Sequence, residues 1–260
     1  MAQRAVPVDE RLRRHLASWV GEWPPPDAGL TVVGDPARLQ PTWDGSVRPL
    51  QGVGDGRGTV ISVPPDHVDD VRSALVESWG DARAGDVDRE APHGDDGDDG
   101  DGSDGGADRR PDLGDRLGEI LGVGPARFGT GVFRTTATVD PDIEDLGEWH
   151  AHQTADLPDW LAPFNGPRLV ARDDDGRVVA GVGIKIHDEF GHELAVVTDP
   201  AAEGRGLARR LVATAARRVL ADGAVPTYLH QESNVASAHV AEAVGFGDRG
   251  WTVHGLWPGH

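Results

Sequence analysis

Residues 193–211 read E-L-A-V-V-T-D-P-A-A-E-G-R-G-L-A-R-R-L. Their types and spacing describe an apolar strand, a tight turn at Pro200, a glycine-flanked arginine and an amphipathic helix. A turn that feeds straight into a helix leaves the first backbone N–H groups without partners, and it aims the positive end of the helix dipole at one spot. Such a spot binds anions. Glycines at 204 and 206 let several N–H groups converge on a pyrophosphate with no side chain in the way. Arg205, Arg209 and Arg210 add positive charge beside it, and Arg217 and Arg218 continue the series. Between residues 203 and 220 five arginines stand against one acid, Glu203, which reverses the balance of the rest of the chain.

Proton-transfer candidates lie on the flanking strands. His192 and Glu193 open the strand before the loop, and His230 and Glu232 close the next one. Strand side chains alternate faces, so His192 and Glu193 cannot both point at one substrate unless a bulge intervenes. The bland readings are a solvated strand end for Glu193 and a structural histidine for His230.

The elements that must hold these residues follow from periodicity. Leu12, Leu16, Trp19 and Val20 share one face of a helix over 8–20, stopped by Trp23-Pro24-Pro25-Pro26. A short strand covers 30–33, loops around Trp43 fill 41–58, and a strand covers 59–63. Asp66 caps a helix to about Trp79, with Val68, Val71 and Leu75 inward. The run 81–110, with G-D-D-G-D-D-G-D-G-S-D at its centre, has nothing to bury and reads as a disordered linker or insertion. The pattern then predicts a helix over 112–121, a strand over 131–139, helices over 141–152 and 157–164, and strands over 167–172, 177–187 and 193–198. A helix from about 205 to 221 closes at Gly223. A strand over 226–231, a helix over 235–244 behind the caps Ser233 and Asn234, and a strand over 251–256 complete the chain. This order suits helices packed over one sheet. The expected organisation is an N-terminal α+β segment (1–80), an acidic linker (81–111) and a larger α+β domain (112–260).

Composition narrows the function classes. The 260 residues carry 44 acidic against 25 basic side chains, a formal charge of -19, with Lys185 the one lysine. Dense carboxylates keep a surface hydrated where salt shortens the Debye length to about 3 Å at 1 M, so the balance looks like that of a salt-accumulating halophile. It argues against general nucleic-acid binding, which needs a basic footprint. With no cysteine, thiol nucleophiles, thiolate metal sites and disulfides are excluded. No apolar run approaches the roughly 20 residues of a membrane span, and the N-terminus lacks a signal-peptide core, so the expected setting is cytoplasmic, off the membrane and without a metal. The assembly is left between monomer and homodimer.

Three motifs together resemble the GNAT superfamily of acetyl-CoA-dependent N-acyltransferases, over roughly 131–257. The family's pyrophosphate loop follows Q/R-x-x-G-x-G/A. Here Glu203-Gly204-Arg205-Gly206-Leu207-Ala208 keeps Gly206 and Ala208 but has Glu203 where Gln or Arg is usual. The strand V-V-T-D-P before it is similar to the one whose splayed backbone pairs with pantetheine. Asn234 starts N-V-A-S-A-H-V-A-E-A-V-G-F, similar to N-x-x-A-x-x-L-Y-x-x-L-G-F, with Ala241 at the tyrosine position. The resemblance implies a GNAT-like α+β fold, a mixed central sheet in three layers with an extra N-terminal α+β segment. It implies acetyl-CoA as co-substrate and an amine as acceptor. It also implies a cofactor set of Val196, Val197, Thr198, Gly204, Arg205, Gly206, Leu207, Ala208, Arg209, Asn234 and Ser237. Glu193 leads as general base, His230 follows, and the Val197 N–H is the expected oxyanion donor. Tyr228, the one tyrosine, is read first as core. A catalytically degenerate acyl-CoA-binding module is the alternative, given Glu203 and Ala241. An unrelated nucleotide-binding domain is weaker, since no G-x-x-x-x-G-K-[ST] loop exists.

Overall fold

The computed structural model of the protein describes residues 7–82, 112–152, 154 and 157–258, with the backbone alone for 79–82 and 258. Among them ten strands run in chain order: β1 (Gly29–Gly34), β2 (Gln51–Gly54), β3 (Gly58–Val63), β4 (Ala126–Thr135), β5 (Glu148–His150), β6 (Arg168–Arg172), β7 (Val178–Ile186), β8 (Gly191–Thr198), β9 (Val225–His230) and β10 (Thr252–Pro258). The helices are α1 (Val8–Val20), α2 (Val68–Ala82), α3 (Leu113–Ile120), α4 (Leu207–Ala221) and α5 (Val235–Val244). The expected acidic linker lies outside the described residues except for its first two positions, which end α2. The Trp79 side chain is also outside them.

All ten strands join one mixed sheet in the order β1-β3-β2-β10-β4-β9-β8-β7-β6-β5. Helices cover both faces, which gives the three-layer α+β architecture. The N-terminal strands enter the sheet through β2, which pairs antiparallel with β10 and sets Val53 opposite Val253. Alternation sorts the layers. Leu194 and Tyr228 pack with Leu211, Val219 and Val244 of α4 and α5, and Ile61 packs with Leu75 and Leu117 of α2 and α3. Their neighbours in sequence face the other way. Val60, Val225 and Phe133 meet α1 through Leu12, Leu16, Trp19 and Val20. Burial of such side chains contributes about 1.5–3 kcal/mol each, and it fixes α1 across the strands that carry the candidate site. Gly191 is required at this contact, because a Cβ there would overlap the His15 ring. Arg11 Nη1 adds a hydrogen bond to the Ala224 carbonyl at 3.2 Å.

Several expectations are corrected. The region 41–58 holds a strand, β2, whose two glycines read as turn in sequence. The strand expected over 131–139 lies five residues earlier at its start, because β4 pairs with β10 along 126–132. Asp66 caps nothing. A 3-10 turn Pro65–His67 leads into α2 with no side-chain cap. The second short helix shrinks to the 3-10 turn Asp159–Leu161. The helix over 141–152 does not form. Asp140 Oδ1 accepts from the Asp142 N–H at 2.9 Å, and Arg217 Nη2 takes the carbonyls of Asp140 (2.7 Å) and Ile143 (2.6 Å) that a helix would need. Gly147 then turns at φ 101°, and β5 pairs with β6.

Candidate active site

Parallel pairing of β8 with β9 covers Gly191, His192 and Glu193 against Val225, Pro226 and Thr227, and β9 goes on to pair with β4. From Leu194 onward β8 has no registered partner on that edge, so the two strands part. The Asp199 N–H donates to the Val179 carbonyl at 2.8 Å. Antiparallel alternation from that bond turns the Val197 N–H toward β7 and leaves those of Val196 and Thr198 on the open edge. The Val197 N–H, expected to serve as oxyanion donor, therefore faces β7 and not the opening, where the N–H groups of Val196 and Thr198 lie.

The loop after β8 builds the anion cradle. Asp199 Oδ1 accepts from the Ala201 N–H at 2.9 Å and starts a 3-10 turn, Pro200–Ala202. Gly204 and Gly206 stand at φ 72° and 73°, a region that favours glycine, with nothing within 4 Å of a Cβ built on either. Gly206 is the N-cap of α4 and offers no side-chain cap. The first intrahelical bond runs from the Arg210 N–H to the Gly206 carbonyl at 3.2 Å, so the N–H groups of 207, 208 and 209 point outward from an uncapped turn with no acid in it. A cavity of about 590 Å³ opens in front of them. Its wall takes in the expected Val196, Thr198, Gly204, Gly206, Leu207, Ala208, Arg209, Asn234 and Ser237, together with Glu203 and Tyr228. Arg205 and Val197 are not part of that wall. Asn234 Oδ1 accepts from the Ser237 N–H at 2.9 Å, capping α5. Tyr228 is buried as core and yet borders the cavity. Burial raises its phenol pKa, so its hydroxyl keeps its proton at neutral pH. Open, uncapped N–H groups beside Arg209 suit a phosphate or pyrophosphate group. Arg210 and Arg217 instead grip the 140–146 segment, with Arg210 Nη2 3.3 Å from Glu144 and Arg217 Nη1 2.5 Å from Asp145.

A second cavity, of about 300 Å³, borders Glu193, Leu229 and His230. Leu194 points to α4, so Glu193 lies on the α1 face, and the two cavities flank the parting strands from opposite sides. Glu193 stands opposite Lys185 and forms an ion pair with it, and its Oε2 is 3.0 Å from His187 Nε2. Burial would raise the carboxyl, but the Lys185 ammonium and the His187 hydrogen bond outweigh that and hold its pKa at about 2. A group that takes a proton only in strong acid is a poor general base at neutral pH. His230 is no freer: Arg134 Nε donates to its Nε2 at 3.0 Å, and its Nδ1 is 2.8 Å from the Gln231 carbonyl. Both expected bases thus have their proton-accepting atoms engaged. His192 points away from Glu193, as alternation requires.

The residues that complete this second wall did not stand out in sequence. Trp19 comes from α1. Trp43, Arg48 and Gln51 come from the N-terminal loops and β2, and Trp257 from β10. Lys185 Nζ lies 5.0 Å from the Trp43 ring, and Arg48 pairs with Asp44 at 2.6 Å. The usable signal was Lys185, the one lysine, in register with Glu193. A larger hollow, about 870 Å³ beside Gly29, Gly58 and Thr252, is lined by one titratable side chain, Arg57, and carries no comparable chemistry. Among the described residues no group of His, Asp and Glu is placed to hold a metal, and no helix is long and apolar enough to cross a membrane.

Residues 136–246 match the family model of the Acetyltransferase (GNAT) family. Among solved structures, the chain is similar to a protein assigned to the GNAT family from Novosphingobium aromaticivorans, at 25% identity over 52% of this chain and 66% of that one, with a TM-score of 0.44. It is also similar to a GCN5-related N-acetyltransferase-like protein from Streptococcus suis, at 19% identity over 55% and 67%, TM-score 0.40. A GNAT-family acetyltransferase from Colwellia psychrerythraea aligns at 11% identity over 54% and 61%, TM-score 0.39. The chain spans slightly under two thirds of the first of these. No curated protein sequence matches it.

Proposed function

We propose that the protein is an acetyl-CoA-dependent N-acetyltransferase that acts by direct attack of a primary amine. The observation that carries this reading is the parting of β8 from β9, with an uncapped helix N-terminus and cavity on one face and a second cavity on the other. Acetyl-CoA supplies an acetyl group activated as a thioester. The N–H groups of residues 207–209 and the Arg209 guanidinium hold the pyrophosphate, and Asn234 and Ser237 border the pantetheine arm. An N–H of Val196 or Thr198 faces the place where negative charge develops on the acetyl oxygen. Tyr228 keeps a hydroxyl proton at the cavity wall, available to the departing thiolate. The cavity on the α1 face takes the acceptor, so the N-terminal segment serves as its substrate-side wall. The charge of -19 supports a cytoplasmic protein that works in molar salt.

Titration calorimetry with acetyl-CoA in molar salt, followed by incubation with a panel of amines and a thiol-reactive dye, tests the proposal. Saturable binding with free thiol released in step with acetylated amine is expected. Absence of binding overturns it. Binding without thiol release with any amine favours the second reading, an acyl-CoA-binding sensor, which draws on Ala241, fully buried where the family carries a tyrosine.

A further inference from the structure

We infer that His187 is the general base, with Glu193 as its positioning residue, and that the acceptor is a small primary monoamine with a flat apolar body. This rests on the acetyltransferase reading above. Glu193 is an ionised carboxylate and can only accept, so the His187 nitrogen 3.0 Å away, Nε2, carries the hydrogen. In the neutral ring Nδ1 then holds a bare lone pair. No hydrogen bond reaches that atom among the described residues, it is absent from the fully buried unpartnered atoms, and His187 borders the 300 Å³ cavity. Burial lowers the His187 pKa, so the ring is neutral at pH 7 and ready to take a proton.

The charged groups around His187 come from each packed element. Glu193 of β8 favours its protonated form. Lys185 of β7 and His15 of α1 oppose it. His15 is itself tied to Asp188 through Nδ1 at 2.9 Å, and it stacks on Trp19 at 5.5 Å, while the Trp19 ring lies 5.1 Å from His187. In the step, the amine nitrogen forms a bond to the acetyl carbon and its proton passes to His187 Nδ1. The carbon–sulfur bond breaks, and the thiolate leaves with the electron pair. Glu193 stabilises the imidazolium until it returns its proton to water.

The cavity wall selects the acceptor. Trp19, Trp43 and Trp257 provide flat apolar surface. Glu193 is the one carboxylate in that wall and Lys185 already balances it, so a second ammonium group finds no counter-charge.

Three probes test the class: 2-phenylethylamine, spermidine and an Nα-blocked lysine peptide. The expected kcat/KM is highest for 2-phenylethylamine, by about tenfold. A preference for either of the others overturns the class. His187→Gln is expected to lower kcat by about 10²–10³-fold, to leave acetyl-CoA affinity within about twofold and to abolish the acid limb of the kcat–pH profile. Glu193→Gln removes a group that raises the His187 pKa, so the limb persists and moves to lower pH. If the limb vanishes in Glu193→Gln and survives in His187→Gln, Glu193 is the base and the inference falls alone. Nitrogen-15 NMR of the wild-type imidazoles gives a reading independent of turnover. A neutral ring protonated on Nε2 is expected for His187 at pH 7, and a cationic or Nδ1-protonated ring overturns the assignment. Thiol release with other amines of the panel but with none of these three overturns the acceptor class alone, whereas binding of acetyl-CoA without thiol release with any amine overturns the acetyltransferase reading, and the role of His187 with it.

Discussion

The two cavities beside the parted strands are built in opposite ways. The cradle comes mainly from one continuous stretch, Val196 to Arg209, with β9 lending Tyr228 and α5 lending Asn234 and Ser237, and it presents the uncapped backbone N–H groups of residues 207–209. The second cavity draws on α1, the loop at Trp43, β2, β4, β7, β8, β9 and β10, and its titratable groups are side chains gathered from these elements. A ligand common to many enzymes can be held by groups every residue possesses. An acceptor that distinguishes one enzyme from another needs side chains, and those must be gathered from afar. The single sheet makes the gathering possible, since β2 on β10 brings the N-terminal loops to the edge of the opening.

The sharpest way to break this contrast is a side chain in the backbone cradle. Gly206 stands at φ 73° in open space, so the obstacle to substitution is conformational and electrostatic. Gly206→Glu adds about 1–3 kcal/mol of left-handed strain, plus a carboxylate facing the pyrophosphate. We expect acetyl-CoA affinity to fall by about 1,000-fold, roughly 4 kcal/mol, in calorimetry. Gly206→Asn, which tolerates the same conformation, is expected to lose no more than about fivefold. Equal losses in the two variants would mean that any side chain at 206 obstructs the ligand, and that neither strain nor charge is what matters there.

Acid should weaken the sheet where the N-terminal strands join it. Burial lowers the pKa of His254, on β10 beside β2, to about 4, and it lowers His187 and His192 as well. The folded protein holds these rings neutral while the unfolded chain binds protons near pH 6.5. Stability therefore falls as pH drops from about 6.5 toward 4, on the order of 3 kcal/mol for His254 alone. Glu193, held at about 2, adds a second loss from about 4.5 downward. Thermal midpoints across this range check the sign. Hydrogen exchange at pH 5 should quicken first in β2, β10 and β8, ahead of α4. His254→Gln should flatten the first step.

The same contrast explains what was legible in sequence. The cradle residues lie within a few turns of chain, so glycines, a helix start and an anion-binding logic could be read together. Every cavity-lining residue expected there is found, apart from Arg205 and Val197. Val197 failed on parity: its neighbours' amides face the opening, and one hydrogen bond from Asp199 is needed to learn which. Trp19, Trp43 and His187 carried no local signal, because their meeting depends on β2 pairing with β10, and Q-G-V-G does not look like a strand. The segment 141–152 has helical spacing, but Arg217 on a helix some 70 residues away takes its carbonyls.

Trp43 offers a smaller test from the acceptor side. Its ring stacks on Phe164 at 5.7 Å and lies 5.0 Å from Lys185 Nζ. Trp43→Ala removes wall area and frees Lys185 to move. We expect KM for the amine to rise by about tenfold, roughly 1.4 kcal/mol, with acetyl-CoA affinity unchanged. A matching loss of acetyl-CoA affinity would show that the two cavities do not divide the work as their construction implies.

Glu203 supplies the smallest effect and the finest discrimination. It is an exposed carboxylate on the wall of a cavity suited to a polyanion, at the position where the loop pattern it resembles has Gln or Arg. If the cradle works through backbone N–H groups, Glu203→Gln alters one solvent-screened charge and nothing else. Exposed charge pairs contribute about 0.2–1 kcal/mol, so acetyl-CoA affinity should rise by no more than about fivefold at low salt. At 1 M salt the Debye length is about 3 Å and the gain should vanish. A gain that persists in molar salt would assign the introduced side-chain amide a direct hydrogen bond, and the cradle would then depend on a side chain after all. Calorimetry of the two proteins across a salt series separates these outcomes.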